Sequence, residues 1–202
     1  MATRGFTGRR PTAAFARRLP PGQFETDDFP VLAKGPTPRV GLSSWRFTLS
    51  DGPRPLATWN WAEFSALPRT VWQGDIHCVT KWSRFDTTWE GVSIDDLLAA
   101  AGVAPPTAYL LALSHDDYDT NVPAADLLDG RAMVATHFDG QPLDAEHGGP
   151  ARLLVPHLYF WKSAKWIKGL RFTQRDEAGF WELRGYHMRG DPWRQQRYSD
   201  DP

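Results

Sequence analysis

The stretch Thr70-Val71-Trp72-Gln73-Gly74-Asp75-Ile76-His77-Cys78-Val79-Thr80-Lys81-Trp82 decides how the rest of the chain is read. Residues 70–76 alternate apolar and polar side chains, the period of a strand. Cys78 stands where that strand should end, among His77, Lys81, Trp82 and Arg84, and it is the only cysteine in 202 residues. A thiolate is a soft metal ligand and a nucleophile, and neighbouring cations lower its pKa. A buried structural residue is the other reading of a lone cysteine. If the segment is extended, His77 and Cys78 point to opposite faces, which makes His77 a poor base for the thiol.

Composition bounds the rest. An apolar content of 41% can fill a core, and ten Trp give either a rigid site wall or a large core. A net charge of −1 argues against wholesale nucleic-acid binding. One cysteine excludes an internal disulfide and a cysteine-rich zinc module. No stretch is apolar and long enough to cross a membrane. Arg4, Arg9, Arg10, Arg17 and Arg18 precede the first acid, Glu25. Arg9-Arg10 invites a twin-arginine export reading, but Arg17 and Arg18 interrupt any apolar run behind it. Residues 1–23 are therefore expected to form a flexible basic arm, residues 24–202 one domain, and the protein is expected to be cytoplasmic, a monomer or weak oligomer.

Along the chain, residues 39–49 read as a strand and Asp51-Gly52-Pro53 as a turn. Residues 59–67 suit a short helix stopped by Pro68. Ser93-Ile94-Asp95-Asp96-Leu97-Leu98-Ala99-Ala100-Ala101-Gly102 is the clearest helix, with Ser93 as N-cap and Gly102 ready for the left-handed C′ position. Residues 109–113 suit a strand, 114–121 an acidic loop, 123–128 a brief helix, and 132–138 a strand before the turn Asp139-Gly140. Residues 151–155 and 166–172 read as further strands, joined by an aromatic, basic loop. Beyond Gly179 the chain has no clear period but is dense in Trp, Tyr and Arg, so it stays ordered only if its aromatics pack. Short strands outnumber helices, which favours an α+β fold with mixed, mainly antiparallel sheet.

No GxGxxG follows a strand, and no P-loop, HExxH or GxSxG is present. A Cys–His nucleophile pair stays open, because the fold can bring a distant histidine to Cys78. Anion-binding potential lies in Arg152, after Gly-Gly-Pro, and in Lys162, Ser163, Lys165 and Lys168. Arginine offers a planar fork for phosphate, and lysine a point charge. A solvated basic surface is the alternative.

Three stretches together resemble one family. The first is Gly-Asp-Ile-His-Cys-Val-Thr-Lys-Trp-Ser with Trp89-Glu90-Gly91-Val92. The second is His147-Gly-Gly-Pro-Ala-Arg152, then Tyr159-Phe-Trp-Lys-Ser-Ala-Lys-Trp-Ile. The third is Gly185-Tyr-His-Met-Arg-Gly-Asp-Pro-Trp. In that order they resemble the sulfite-oxidase-type molybdopterin-dependent oxidoreductases, above all the small bacterial members made of the molybdenum-binding domain alone.

The resemblance implies a mixed, mainly β domain with short helices, and molybdenum bound as Mo-molybdopterin. It implies Cys78 as the sole protein ligand to the metal, the remaining ligands being dithiolene sulfurs and oxygens. Carried over position by position, His147 and Arg152 hold the pterin or its phosphate. Ser163, Ala164 and Lys165 close over the phosphate, and Ser114 touches the cofactor. The early loop Asp27-Asp28-Phe29-Pro30 stands where the family often has an Asn, so Asp27, Phe29 and Pro30 become cofactor contacts, with an Asp that accepts but cannot donate. Lys81, Arg84, Tyr159 and Tyr186 are the candidates facing a small-molecule substrate beside Cys78. The implied chemistry is oxygen-atom transfer or a two-electron redox step on a small S- or N-oxide or sulfite-like compound, with a separate electron-transfer partner protein. A non-redox, aromatic-lined binding module that kept the fold is the alternative.

Overall fold

A computed structural model describes residues 18–202. In chain order the elements are β1 (Phe24–Glu25), β2 (Arg46–Asp51), β3 (Arg54–Asn60), α1 (Trp61–Ser65), β4 (Thr70–His77), β5 (Trp82–Ser93) and α2 (Ile94–Ala101). Then come β6 (Tyr109–Ser114), β7 (Asp119–Pro123), β8 (Met133–Phe138), β9 (Gln141–Pro142), β10 (Arg152–Leu154) and β11 (Ile167–Thr173), with short 3-10 turns between. The strands form two sheets. One is six-stranded, ordered β1-β5-β8-β10, with β4 on the other edge of β5 and β9 beside β8. The other is five-stranded, ordered β3-β2-β11-β6-β7. The pairs β1–β5 and β2–β11 are parallel and the rest antiparallel. This is the α+β class, mixed and mainly β, that the pattern of short strands predicts.

Strand alternation sorts two hydrophobic clusters onto opposite faces of the six-stranded sheet. Val134 and Leu153 join the larger cluster, with Phe47, Leu97, Leu110, Ile167 and Phe172 from the second sheet and α2. Their neighbours Met133, Ala135 and Leu154 join the smaller cluster, with Ile76, Cys78, Trp82, Trp89 and Phe160. Successive side chains on a strand point to opposite faces, so the larger cluster is the core shared by the sheets and the smaller one floors the region around Cys78. Helix α2 closes the core as its sequence predicts. The Ser93 hydroxyl accepts from Asp96 N–H, Gly102 is left-handed (φ 66°), and Ile94, Leu97 and Leu98 are buried. Each such side chain contributes roughly 1.5–3 kcal/mol.

Three strands differ from the sequence reading. Residues 39–45 lie outside β2, and Trp59 belongs to β3 rather than to a helix. Strand β3 holds Pro55 because it is an edge strand, where a missing N–H is tolerated. Strand β7 replaces the second half of the expected acidic loop, since Thr120, Asn121 and Val122 are buried against β6. The longest strand, β5, carries no clean alternation because both its faces are covered, Val92 by the larger cluster and Trp82 and Trp89 by the smaller, and its last three residues, Gly91, Val92 and Ser93, are all buried. At the other end, most of the basic arm expected over residues 1–23 lies outside the described residues. Its last part packs on the domain: Arg18 pairs with Asp75 and Asp86, and Gln23 bonds the Cys78 carbonyl.

Gly91 sits where β5 meets β8, and a Cβ there would lie 2.1 Å from the Val134 carbonyl oxygen. Backbone cannot yield as a side chain does, so Gly91→Ala should destabilise the fold by about 3 kcal/mol, at the upper end of the overpacking range. The shift in the urea unfolding midpoint measures it, and an unchanged midpoint would contradict this packing.

Candidate active site

Strand β4 leads to the site through a bulge. Its register with β5 shifts between Gly74 and Ile76, so Asp75 is unpaired and Ile76 and His77 are both buried. Residues 79–81 then close a tight hairpin: Cys78 N–H donates to Trp82 O at 2.8 Å and Lys81 N–H to Cys78 O at 3.0 Å. Lys81 adopts φ 77°, the left-handed residue that such a loop needs. The Thr80 hydroxyl donates to Cys78 Sγ at 3.2 Å. Burial pushes the Cys78 thiol above its ordinary pKa, partly opposed by hydrogen bonds from Thr80 and Val79 and by the Arg197 charge. Lys81 and Arg84, the cations expected to activate the thiol, are not among those causes. No histidine bonds Cys78 among the described residues: His77 Nδ1 faces Ser83 Oγ at 2.8 Å, and burial lowers its pKa to about 4. A Cys–His nucleophile pair is therefore not assembled.

Cys78 opens onto a cavity of about 320 Å³, within the usual span for cofactor pockets. The same cavity is lined by Arg152, 2% exposed. Its Nη1 donates to His147 O at 2.8 Å and its Nη2 to Ser163 O at 2.7 Å, while its Nε is buried without a partner. The guanidinium lies 4.2 Å from the Phe160 ring centroid and, among the described residues, has no carboxylate within ion-pair distance. Burial pulls its pKa down to about 9. Lys165, on the same wall, is lowered to about 8 by burial and then by Arg152; its Nζ donates to the Glu146 carbonyl at 2.7 Å. Arg152 is buried with only neutral carbonyls for partners, and Lys165, half-buried beside it, has no ion-pair partner among the described residues and feels Asp116 and Glu146 only at longer range. Opposite charge from a bound anion is what such a wall lacks.

The early loop forms another side. The His147 ring stacks on Phe29, centroids 4.1 Å apart at 16°, and its Nε2 lies 3.0 Å from Phe29 O. A carbonyl only accepts, so Nε2 carries the proton. Gly148 (φ 107°) packs against Lys165 and Arg152, where a Cβ would lie 3.0–3.1 Å from their atoms. Glycine there lets the His147 loop approach both cations.

The structure thus brings Cys78, Phe29, Pro30, His147, Arg152, Ser163, Ala164, Lys165 and Tyr186 to one cavity. Ser163 uses its hydroxyl oxygen to accept from Val155 N–H at 2.9 Å. Other candidates lie off the lining. Asp27 and Lys81 are exposed. Arg84 pairs with Asp139 at 3.2 Å and covers the Phe138 ring. Tyr159 is fully buried, stacked on Trp161 with the Arg197 guanidinium 4.9 Å from its ring centroid, and Ser114 is buried with an unpartnered Oγ. Lys162 is no phosphate ligand: it is buried and bound to Glu182 Oε1 at 2.6 Å, Asn121 Oδ1 at 2.6 Å and Met188 O at 2.6 Å. Lys168 reaches Asp117 at the surface.

Sequence reasoning missed most of the outer wall. Tyr118, Trp161 and Trp181 line the cavity with Tyr186. Tyr118 donates to Trp161 O at 2.7 Å, and Trp161 Nε1 to Glu182 Oε1 at 2.8 Å. The tail is held in place through Lys162, Glu182 and Met188, and by Arg189 on Asp126, whose pKa falls to about 2 against the burial that would raise it, through bonds from His157 and Arg189. Ahead of Gly185, where the third motif begins, its only sequence signal was aromatic density.

Among the described residues no three of His, Cys, Asp and Glu gather into a metal cage. A metal at Cys78 must therefore bring most of its own ligands. An anionic chelator fits the donor set: one soft sulfur, and in the same cavity the unpartnered Arg152 Nε with Lys165.

Comparison with known proteins agrees with this architecture. The family described as the oxidoreductase molybdopterin binding domain matches residues 34–181. The chain is 43% identical over 188 residues to the uncharacterized oxidoreductase YuiH of Bacillus subtilis, covering 91% of this chain and 93% of that one. It is 30% identical over 151 residues to a putative protein-methionine-sulfoxide reductase subunit, YedZ1, of Azospira oryzae, covering 75% of this chain and 57% of the relative. The sulfane dehydrogenase SoxCD of Paracoccus pantotrophus shares the fold, with TM-score 0.60, 22% identity, and coverage of 69% of this chain and 40% of that chain.

Two outcomes follow from the geometry. Because burial raises the Cys78 pKa, thiol alkylation of metal-free protein should be slow at neutral pH and accelerate only above the ordinary thiol range; a fast neutral reaction, followed by mass spectrometry, would contradict it. Lys162→Met leaves Glu182 as an unpaired buried carboxylate, so chemical denaturation should show a loss of about 3–5 kcal/mol.

Proposed function

The chain belongs to the oxidoreductase molybdopterin binding domain family and is a molybdopterin-dependent oxidoreductase, and on that premise we propose that Cys78 is the protein's ligand to molybdenum while Arg152 and Lys165 hold the anionic end of the pterin. The observation that carries this reading is the placement of one sulfur and two cations without ion-pair partners among the described residues on the lining of a single cavity. When bound, the cofactor supplies oxygen-atom transfer coupled to a two-electron change at the metal.

The chain's own residues do the rest. Cys78 loses its proton on ligation, because a thiolate and not a thiol binds the metal. Arg152 offers Nε, the donor not committed to His147 or Ser163, and Lys165 adds charge beside it. His147, held flat on Phe29, presents a fixed ring edge to the pterin. Ser163 and Ala164 shape the wall between them. Tyr186, which lies close enough to Cys78 to feel its charge, faces the substrate. Arg84 is neutralised by Asp139 and Lys81 is turned to solvent, so the substrate side depends on hydroxyl and aromatic groups. A small oxo-compound of the S-oxide or N-oxide kind suits such a wall. Electrons pass to or from a separate partner protein, a reading supported by the Azospira relative being named as a subunit. A binding module without a metal fits less well, since the family matched over residues 34–181 is a molybdopterin-binding one and Cys78 lines the cavity.

Metal and pterin analysis of protein made in cells that synthesise the cofactor tests this. Wild type should carry stoichiometric molybdenum and pterin. Cys78→Ala should lose the metal, and Arg152→Gln should retain at least roughly tenfold less of both, as for groups that fix a metal site from behind its ligands. Full metal retention in Cys78→Ala would overturn the assignment.

A further inference from the structure

We propose that Thr80 is a positioning residue for the metal ligand: its hydroxyl bond to Cys78 Sγ sets how strongly that sulfur donates to the metal, and so sets the metal's reduction potential. This rests on Cys78 being the ligand. The hydroxyl donates to the sulfur at 3.2 Å, and Thr80 lines the same cavity. No other side chain bonds the sulfur among the described residues; the backbone N–H groups of Val79 and Thr80 face it as well.

The bond is held from three sides. Gln23 Nε2 donates to Cys78 O at 3.1 Å, and Arg197 Nη1 to Val79 O at 2.6 Å. Lys81 N–H closes the turn on Cys78 O at 3.0 Å, with Lys81 at φ 77°. These contacts come from the segment before β1, from the tail and from the turn itself, so the peptide units either side of Thr80 cannot swing. A β-branched side chain on a fixed backbone has few rotamers, and the hydroxyl stays on the sulfur. Hydrogen bonds to a ligating sulfur withdraw electron density and tune the potential of the metal it binds. Weaker donation favours the reduced metal. The Thr80 bond therefore raises the potential.

The test uses loaded enzyme. Thr80→Val keeps the shape and removes the hydroxyl; Thr80→Ser keeps the hydroxyl. Molybdenum and pterin content, the midpoint potential from an EPR-monitored redox titration, and the sulfur-to-metal charge-transfer absorption are measured for each. Thr80→Val should retain both metal and pterin, titrate at lower potential than wild type, and show its charge-transfer band at longer wavelength. Thr80→Ser should restore both values. Wild-type potential and band position in loaded Thr80→Val would overturn the proposal. Should that variant fail to load, Thr80→Ala takes its place. Failure of both to load would also overturn it, because the hydroxyl would then be holding the site together. A wild-type protein with neither metal nor pterin defeats the underlying reading instead, and the content measurement separates the cases.

Discussion

A buried guanidinium without a carboxylate is the constraint on which this molecule turns. Arg152 is held by the carbonyls of His147 and Ser163 and shielded by Phe160. Those contacts orient the charge but do not neutralise it. Taking an ion out of water is costly unless it is paired, and here Lys165 adds a second positive group nearby. The fold tolerates this strain in one place because the larger core, on the other face of the six-stranded sheet, is ordinary and well filled. Stability is made on one face of that sheet and function on the other.

The wall of the cavity is drawn from segments far apart in the chain. Phe29 comes from the early loop, Cys78 from the β4–β5 hairpin, Arg152 from β10, and Tyr186 from the tail. What aligns them is backbone pairing and two polar knots, one buried and one half-exposed. One joins Lys162 to Asn121, Glu182 and Met188; the other gathers His157 and Arg189 around Asp126. Both tie the tail to the β7–β8 region, so aromatic residues without periodic order are nonetheless fixed.

Much of this was legible in the residues. The alternation ahead of Cys78, the Ser93 and Gly102 caps and the Asp139-Gly140 turn each describe a local interaction, and each appears in the structure. Strand β5 was not legible, because both of its faces are covered, Val92 by the larger cluster and Trp82 and Trp89 by the smaller, so no half-exposed pattern shows. The cavity members Phe29, His147, Arg152 and Lys165 came from motif order rather than from periodicity. Lys162 shows the limit of residue type: a lysine beside a serine and another lysine looks like a phosphate ligand until Glu182, twenty residues on, is seen to neutralise it. Tyr118 and Trp181 had no local signal, since their role exists only once β7 and the tail meet.

The tail's place in the wall has a consequence for biogenesis. Trp181 and Tyr186 enclose the cavity, and the knot that seats them needs Glu182 and Met188. A nascent chain on the ribosome exposes Cys78 and Arg152 well before those residues emerge. Trp181 and Tyr186 complete the wall only once residues 182–188 have been made. A cofactor that meets a polypeptide shorter than this finds Cys78 and Arg152 without the aromatic part of their wall.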